Sequence, residues 1–575
     1  MSAHAALLID AFVLGGYFLL IVSIGLYAGR KNKSLTEFAL GSRSIPWWAV
    51  LASIVAAETS AATFLGTPAE GFKYRSYVYG QLVIGTILAR VIIAFTFIRP
   101  YYRYRVQSIY EFLTVRFGPA TKNMASGTFL FTRVLGIGVR LYLGGAIMVV
   151  IWRFLLPDTP VTLWTYFWGI VFVTVLTTLY TAAGGIKAVV WTDFIQASLM
   201  MASVLLAIGL LYFSIPGGFA RVGEILGGWS NLPVLTTGFP QHVPGSPHFS
   251  FGESLRLMFE QPYTIPAALI ASTLLTMATH GTDQDMVQRM LTAPDYRKSQ
   301  MSLILSGLAD LPIVAGFLTV GILLYAHYQA HPDKLLPAAP NEVFAYYIVH
   351  EMPVVARGLI VAGIFATMMG STSAALNALA TSFTRDFYLP YFHRNAGERE
   401  SIRAARWATV VFGILMIIVA TFAASAVLAD ASLTIIPIAI GILGYTYGSL
   451  LAVFLLGMLT RSRGRDGMNV IAMTTGIFAV LILGRIEIPG IPGGKFVLHR
   501  AVRLADGSME SVGEWFNFGW FLPDWWPVFS WPWYVCIGCL VTLAIAIFFK
   551  TPARQIQLAK EHVDAPNVSS MAGNA

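Results

Sequence analysis

Charge is what this sequence has least of. Only 12% of its 575 residues are Asp, Glu, Lys or Arg, while 56% are hydrophobic, against roughly 25% charged in soluble domains. That shortage excludes an ordinary soluble globule, and a mean hydropathy of +0.67 places the chain among polytopic membrane proteins. Cysteine is almost missing too. Cys536 and Cys539, in "YVCIGC", have a C-x-x-C spacing but lie one turn apart in an apolar stretch with no second Cys or His pair. A disulfide framework and a zinc site are thereby excluded, leaving two small packing residues. No H-E-x-x-H or comparable constellation is present, and the G-x-G of "RVLGIG" follows no strand, so an embedded enzyme and a nucleotide fold find no support. The net charge of +9 sits in short loops between apolar runs, where it reports topology and gives no sign of a nucleic-acid partner.

Long hydrophobic runs are what the sequence does have. Windows of about 20 apolar residues predict about 13 transmembrane helices, near 8–29, 47–66, 79–98, 121–151, 161–181, 189–213, 263–286, 299–328, 354–381, 404–424, 431–456, 468–486 and 531–550. The first run is too long for a signal-peptide core and lacks a small-residue cleavage site, so it reads as a retained span. The basic segments "RKNK", "RPYYRYR", "DYRK", "RESIRAAR" and "RSRGR" fall on one side when the N-terminus is outside. An odd number of spans then puts the C-terminus in the cytoplasm. The loop at 487–530 holds "EWFNFGWFLPDWWPVF", whose tryptophans suit the headgroup layer of the bilayer. The tail, 551–575, reads as disordered and is too short for a sensor's output domain.

Four stretches interrupt the apolar pattern. "AAETSAATFLGTPAEG" places Glu58, Thr59, Ser60 and Thr63 at membrane depth, and its Gly66 and Pro68 predict a helix that loses regular hydrogen bonding part-way across. Freed carbonyls and hydroxyls are hard oxygen ligands of the kind alkali cations prefer, although a hydroxyl-rich packing face fits the same residues. "FATMMGSTSAALNALATSFTRD" clusters Ser371, Thr372, Ser373 and Asn377 beside Gly370, more hydroxyls than packing needs. "GGIKAVVWTDFIQ" places Asp193 near a span's start, as a helix cap or as a carboxylate that attracts a cation. Arg133 and Arg140 stand seven residues apart on one helix face, too costly to point at lipid. Pairing with Glu58 or Asp193 and binding an anionic solute both account for them.

Together, "FALGSRSIPWWAVLAS", "SIYEFLTVRFG", "GGIKAVVWTDFIQ", "GTDQDMVQRMLTA", "LNALATSFTRDFY" and "LAVFLLG" resemble the sodium:solute symporter family of sugar, proline, pantothenate, iodide, monocarboxylate and sialic acid transporters. The resemblance covers about 8–460. It implies an all-α LeuT-type fold: an N-terminal helix and cytoplasmic loop at 1–46, a first inverted repeat at 47–213, an outer loop at 214–262, a second repeat at 263–456, two peripheral C-terminal helices with the Trp-rich loop at 457–550, and a cytoplasmic tail at 551–575. The implied activity is sodium-driven uptake of a small organic solute, best matched by a sugar or sugar acid, through alternating access in the cell membrane. A proton-coupled transporter, with Glu58 or Asp193 titrating, is the competing reading. Neither an enzyme cofactor nor an oligomer is required; Na+ is the co-transported ion.

The resemblance also implies a site. Carbonyls of Ala56 and Thr59 match the family's sodium ligands on its broken helix, and Thr367, Gly370 and Ser371 match a carbonyl and two hydroxyls on the eighth core helix. Gly370 departs from that pattern, because it has no hydroxyl. Asp193 matches an aspartate near the site. A second sodium would use Asp193 with Ser373, which fits, and Ala374, which does not, so one sodium is expected. Ser60, Thr63 and Gln81 match solute contacts. Thr279 and His280 stand where the sugar branch has an aromatic pair, Ile440 where it has glutamine, and Arg133 where the sialic acid branch has the arginine for the solute's carboxylate.

Overall fold

The computed structural model describes residues 3–31, 34–155, 160–239, 249–337, 340–429, 435–488, 498–503, 509–514, 516–519, 521–523 and 525–564. It is predominantly helical, and a helix bonds its backbone groups within its own segment, as a bilayer interior without water requires. Among the described residues nine helices are long and apolar enough to span a bilayer.

Helix α1 (Ala3–Ala28) precedes α2 (Trp47–Glu58) and α3 (Ala61–Tyr74), which carry the second span on either side of a break. Next come α4 (Leu82–Ile93) and α5 (Pro119–Leu155). Helix α6 (Leu163–Ser214) holds two spans, divided at Gly185, whose φ of 56° is favourable only for glycine. In the second half, α7 (Thr273–Gly281) and α8 (Gln284–Met290) flank another break, and α9 (Tyr296–Ala330), α10 (Ala356–Ser382), α11 (Glu398–Ala429) and α12 (Ile435–Leu459) follow. Peripheral α13 (Asp466–Leu483) and α14 (Tyr534–Ala546) pack on α12. Two shorter apolar helices, Ala267–Gly281 and Trp531–Ala546, lie near the expected spans at 263–286 and 531–550, and α6, 52 residues long, is long enough for the two expected near 161–181 and 189–213.

Several expectations need correction. The first break falls at Thr59 and Ser60, both extended (ψ of 111° and 168°), and not at Gly66 or Pro68. Pro68 is buried inside α3, where it removes one ladder bond without ending the helix. The segment around Ser371 is unbroken: Thr367, Ser371, Thr372 and Ser373 each donate to a carbonyl three or four residues earlier on α10, so their hydroxyls leave the backbone ladder intact. The second interruption lies instead at Thr282 and Asp283, and Asp283 caps α8 by accepting from the Asp285 amide. The tail is ordered over α15 (Ala553–Asp564), held by Gln555, which donates to the carbonyls of Thr114 and Val115 at 3.0 and 2.8 Å. Its end, 565–575, lies outside the described residues. The Trp-rich loop contains two short antiparallel pairs, Glu487–Ile488 with Phe516–Asn517 and Leu498–Arg503 with Met509–Glu514.

Helix α10 is the centre of the molecule. Every residue from Ile360 to Ser382 is buried, and the helix packs along α6, α1, α2, α5 and α11. Its Ala, Gly and Ser content lets these backbones approach closely.

Candidate ion and solute site

The site is built where the first break meets α10. The Thr59 amide still reaches the Val55 carbonyl at 3.1 Å, and Phe64 reaches Ser60 at 2.9 Å. The amides of Ser60 to Ala62 open a new helix, however, so the carbonyls of Ala56 to Glu58 lose their usual donors four residues on. Ala56 and Thr59 are both buried. A Cβ built on Gly370 would stand 3.4 Å from the Ala56 carbonyl oxygen, 3.5 Å from Asp193 Oδ1 and 3.0 Å from Gln196 Oε1. Ala56, Asp193 and Gly370 are thus brought together, along with Gln196, which the sequence reading passed over. Gln196 sits one turn after Asp193 on α6, inside the same "TDFIQ"; that i, i+3 spacing was the available signal. Thr367, Ser371 and Ser373 lie buried on α10, with hydroxyl protons directed into their own helix and lone pairs left over.

Asp193 is not a helix cap. It lies two turns into the second half of α6, where its Oδ2 accepts from Ser53 Oγ at 2.5 Å and from Arg289 Nη2 at 3.2 Å. Arg289 also donates to Ser53 Oγ at 2.8 Å and pairs with Asp285. Asp285 in turn pairs with Arg133, which stands 3.4 Å from Asp283, whose carboxylate accepts from Tyr447 at 2.6 Å. The chain of pairs links α2, α6, α8, α5 and α12. All five charged groups are buried, and three carboxylates share two guanidinium groups, so the linked set has one formal negative charge in excess.

Glu58 belongs to a second set. It pairs with Arg90 of α4, and Arg90 Nη1 lies 2.8 Å from Asp310 of α9. His280 Nε2 lies 3.6 Å from Glu58 and 3.3 Å from Arg90, while its Nδ1 is 3.0 Å from Thr279 Oγ1. Neither Arg133 nor Arg140 pairs with Glu58 or Asp193 as expected, because Arg90 and Arg289 are nearer in the fold. Arg133 faces Asp283 and Asp285 through its two terminal nitrogens. Arg140 is half-buried and has no ion pair or hydrogen bond among the described residues.

The remaining expected contacts are scattered. Ser60 begins α3 without capping it, and Thr63 is half-buried in its first turn. Gln81 is tied to the loop after α6, accepting from the Thr236 amide at 3.1 Å, and its buried Nε2 has no partner among the described residues. The side chain of Ile440 lies outside the described residues.

Broken helices, a fully buried central helix and a cluster of inward-facing oxygens define a multi-pass membrane transporter of the LeuT-type fold. The sequence profile of the sodium:solute symporter family matches residues 38–476, and the chain belongs to that family, whose members are transporters and not enzymes. It is 28% identical over 488 residues to the sodium/sialic acid symporter SiaT of Proteus mirabilis, covering 84% of this chain and 90% of that protein. It is 27% identical to the mouse sodium-coupled monocarboxylate transporter 2, over 78% and 68% of the two chains. It is 26% identical to the sodium/glucose cotransporter of Vibrio parahaemolyticus, over 72% and 75%. Among solved structures, a Na+-coupled sialic acid symporter in a substrate-bound outward-open state superimposes with a TM-score of 0.73 at 22% identity, over 94% of this chain and 97% of that one. That likeness concerns the fold.

Proposed function

We propose that this chain imports a small organic acid, of the sugar-acid or monocarboxylate class, by coupling it to inward sodium flow. Sodium fits the oxygen cluster at Ala56, Asp193 and Gly370, where the linked ion pairs leave one negative charge uncompensated. Thr59, Thr367, Ser371 and Ser373 are the neighbouring candidates for completing its coordination. The observation that carries the solute class is the unequal fate of the two arginines on α5: Asp283 and Asp285 pair directly with Arg133, while Arg140 makes no ion pair or hydrogen bond among the described residues. An unpaired guanidinium at membrane depth is a standing invitation to an anion. The relatives named for sialic acid and monocarboxylates favour the same class. Ser60, Thr63, Thr279 and His280 are the polar groups assigned to the solute's hydroxyls, with Gln81 holding the loop beside them.

In this reading the protein lies in the cell membrane with its N-terminus outside and its C-terminus in the cytoplasm, as the basic segments direct. Sodium binding raises affinity for the solute by a coupling free energy of about 1–3 kcal/mol. The membrane potential adds about 2.3 kcal/mol per charge per 100 mV. Arg289 ties the aspartate beside the ion to α8, which gives ion binding a mechanical connection to the second broken helix. The test is uptake of labelled sialic acid, lactate and glucose into proteoliposomes under a sodium or a potassium gradient. Sodium-specific accumulation of an acid is expected. Accumulation of glucose alone would overturn the solute class.

A further inference from the structure

The space left by Gly370 is filled from another helix. Its missing side chain is the departure from the family pattern among Thr367, Gly370 and Ser371 on α10, and the atom nearest to where a Cβ would stand, at 3.0 Å, is Gln196 Oε1. That distance is tighter than most side-chain contacts, so a side chain at residue 370 requires the Gln196 oxygen to move by a few tenths of an ångström. We propose that Gln196 supplies through its amide oxygen the cation ligand that residue 370 lacks, so that Ala56 O, Asp193 Oδ1 and Gln196 Oε1 form the core of the driving ion's site.

Three further observations carry this. Asp193 Oδ1 and Gln196 Oε1 are both buried and have no hydrogen-bond partner among the described residues; two orphaned acceptors facing one point are costly unless something positive stands between them. Both side chains are held from behind. Asp193 is fixed through Oδ2 by Ser53 and Arg289, and Gln196 donates through Nε2 to the Tyr17 hydroxyl at 3.4 Å, which directs Oε1 the other way. Finally, amide, carboxylate and carbonyl oxygens make a hard donor set suited to an alkali or similar hard cation. Tyr17 lies on α1, so the helix outside the repeats acts as a positioning element for the ion site.

This inference rests on the sodium-coupled reading, and the experiment separates the two. Full-length protein is purified in detergent, and its thermal unfolding is followed by tryptophan fluorescence across a sodium titration at constant ionic strength with potassium as counter-salt. The wild type is expected to gain stability with sodium. Gln196→Ala should raise the half-saturating sodium concentration about tenfold or more, and the double variant Gly370→Ser with Gln196→Ala should recover most of that loss, because a hydroxyl can then occupy the vacated position. Should Gln196→Ala not fold, Gly370→Ala against Gly370→Ser decides: the alanine displaces the amide without replacing its oxygen and must bind sodium more weakly than the serine. Unchanged half-saturation in Gln196→Ala, no rescue in the double variant, or equal behaviour of the two Gly370 variants would overturn the role of Gln196. A wild type indifferent to sodium would overturn the sodium reading itself.

Discussion

The two buried ion-pair sets differ in how completely they are sealed. Around Arg289 the side chains of Asp193, Asp285 and Arg289 have at most 1% exposure, whereas around Arg90 the Glu58 and Asp310 side chains retain 28% and 13%. The same chemistry, carboxylates sharing guanidinium groups, therefore serves two environments. A sealed set acts as a brace, because breaking it strands charge where no water can reach. A partly wetted set can exchange partners with water or solute at smaller cost.

The largest expected effect comes from the sealed side. Arg289→Ala strands Asp193 and leaves Asp285 with Arg133 alone, and should lower stability by about 3–5 kcal/mol, visible as aggregated protein in gel filtration or a collapse of the unfolding temperature. Arg90→Leu should cost less, about 1–3 kcal/mol, because water can reach Glu58 and Asp310. If the two variants were equally damaging, the contrast in sealing would have no energetic meaning.

The arginines of α5 sharpen the same contrast at the level of transport. Arg140→Ala should reduce acid uptake by about tenfold or more, the loss of one charge-assisted contact, with little change in unfolding temperature. Arg133→Ala should instead destabilise the fold and impair all solutes alike. Initial uptake rates for an acidic and a neutral solute, set beside melting curves, distinguish the two. The smallest effect is expected for Ser371→Ala, which removes one lone-pair donor and should raise half-saturating sodium by a few-fold.

Much of this was legible in the residues. Apolar run lengths predict the spans, since a bilayer sets a minimum helix length. The polar islands at Glu58 to Thr63 and Thr367 to Ser373, with Asp193, mark the first break, α10 and α6, three elements that meet where Gly370 faces the Ala56 carbonyl and Asp193. Pairing was not legible: Arg133 meets Asp285 across 152 residues, and Arg90 meets Glu58 across 32, separations at which no helical periodicity speaks. The hydroxyl run on α10 imitates a broken helix in sequence, because serine and threonine favour local bonds in either case; only the fold shows those bonds going to the helix's own carbonyls. The true second break was marked by Asp283, a good N-cap followed by Asp285, hidden within a motif that reads as one continuous span. Gln196 was not legible because the role proposed for it depends on an absence on another helix, at Gly370.

The account turns on a cation held beside Asp193 at the first break. The most direct measurement is acid uptake into proteoliposomes as a function of sodium, for the wild type and for Asp193→Asn, which keeps the side chain's shape and leaves Arg289 paired with Asp285. Sodium-driven accumulation in the wild type, with loss of sodium dependence in a folded Asp193→Asn, is the predicted result. An asparagine variant whose uptake follows sodium as the wild type's does would contradict it.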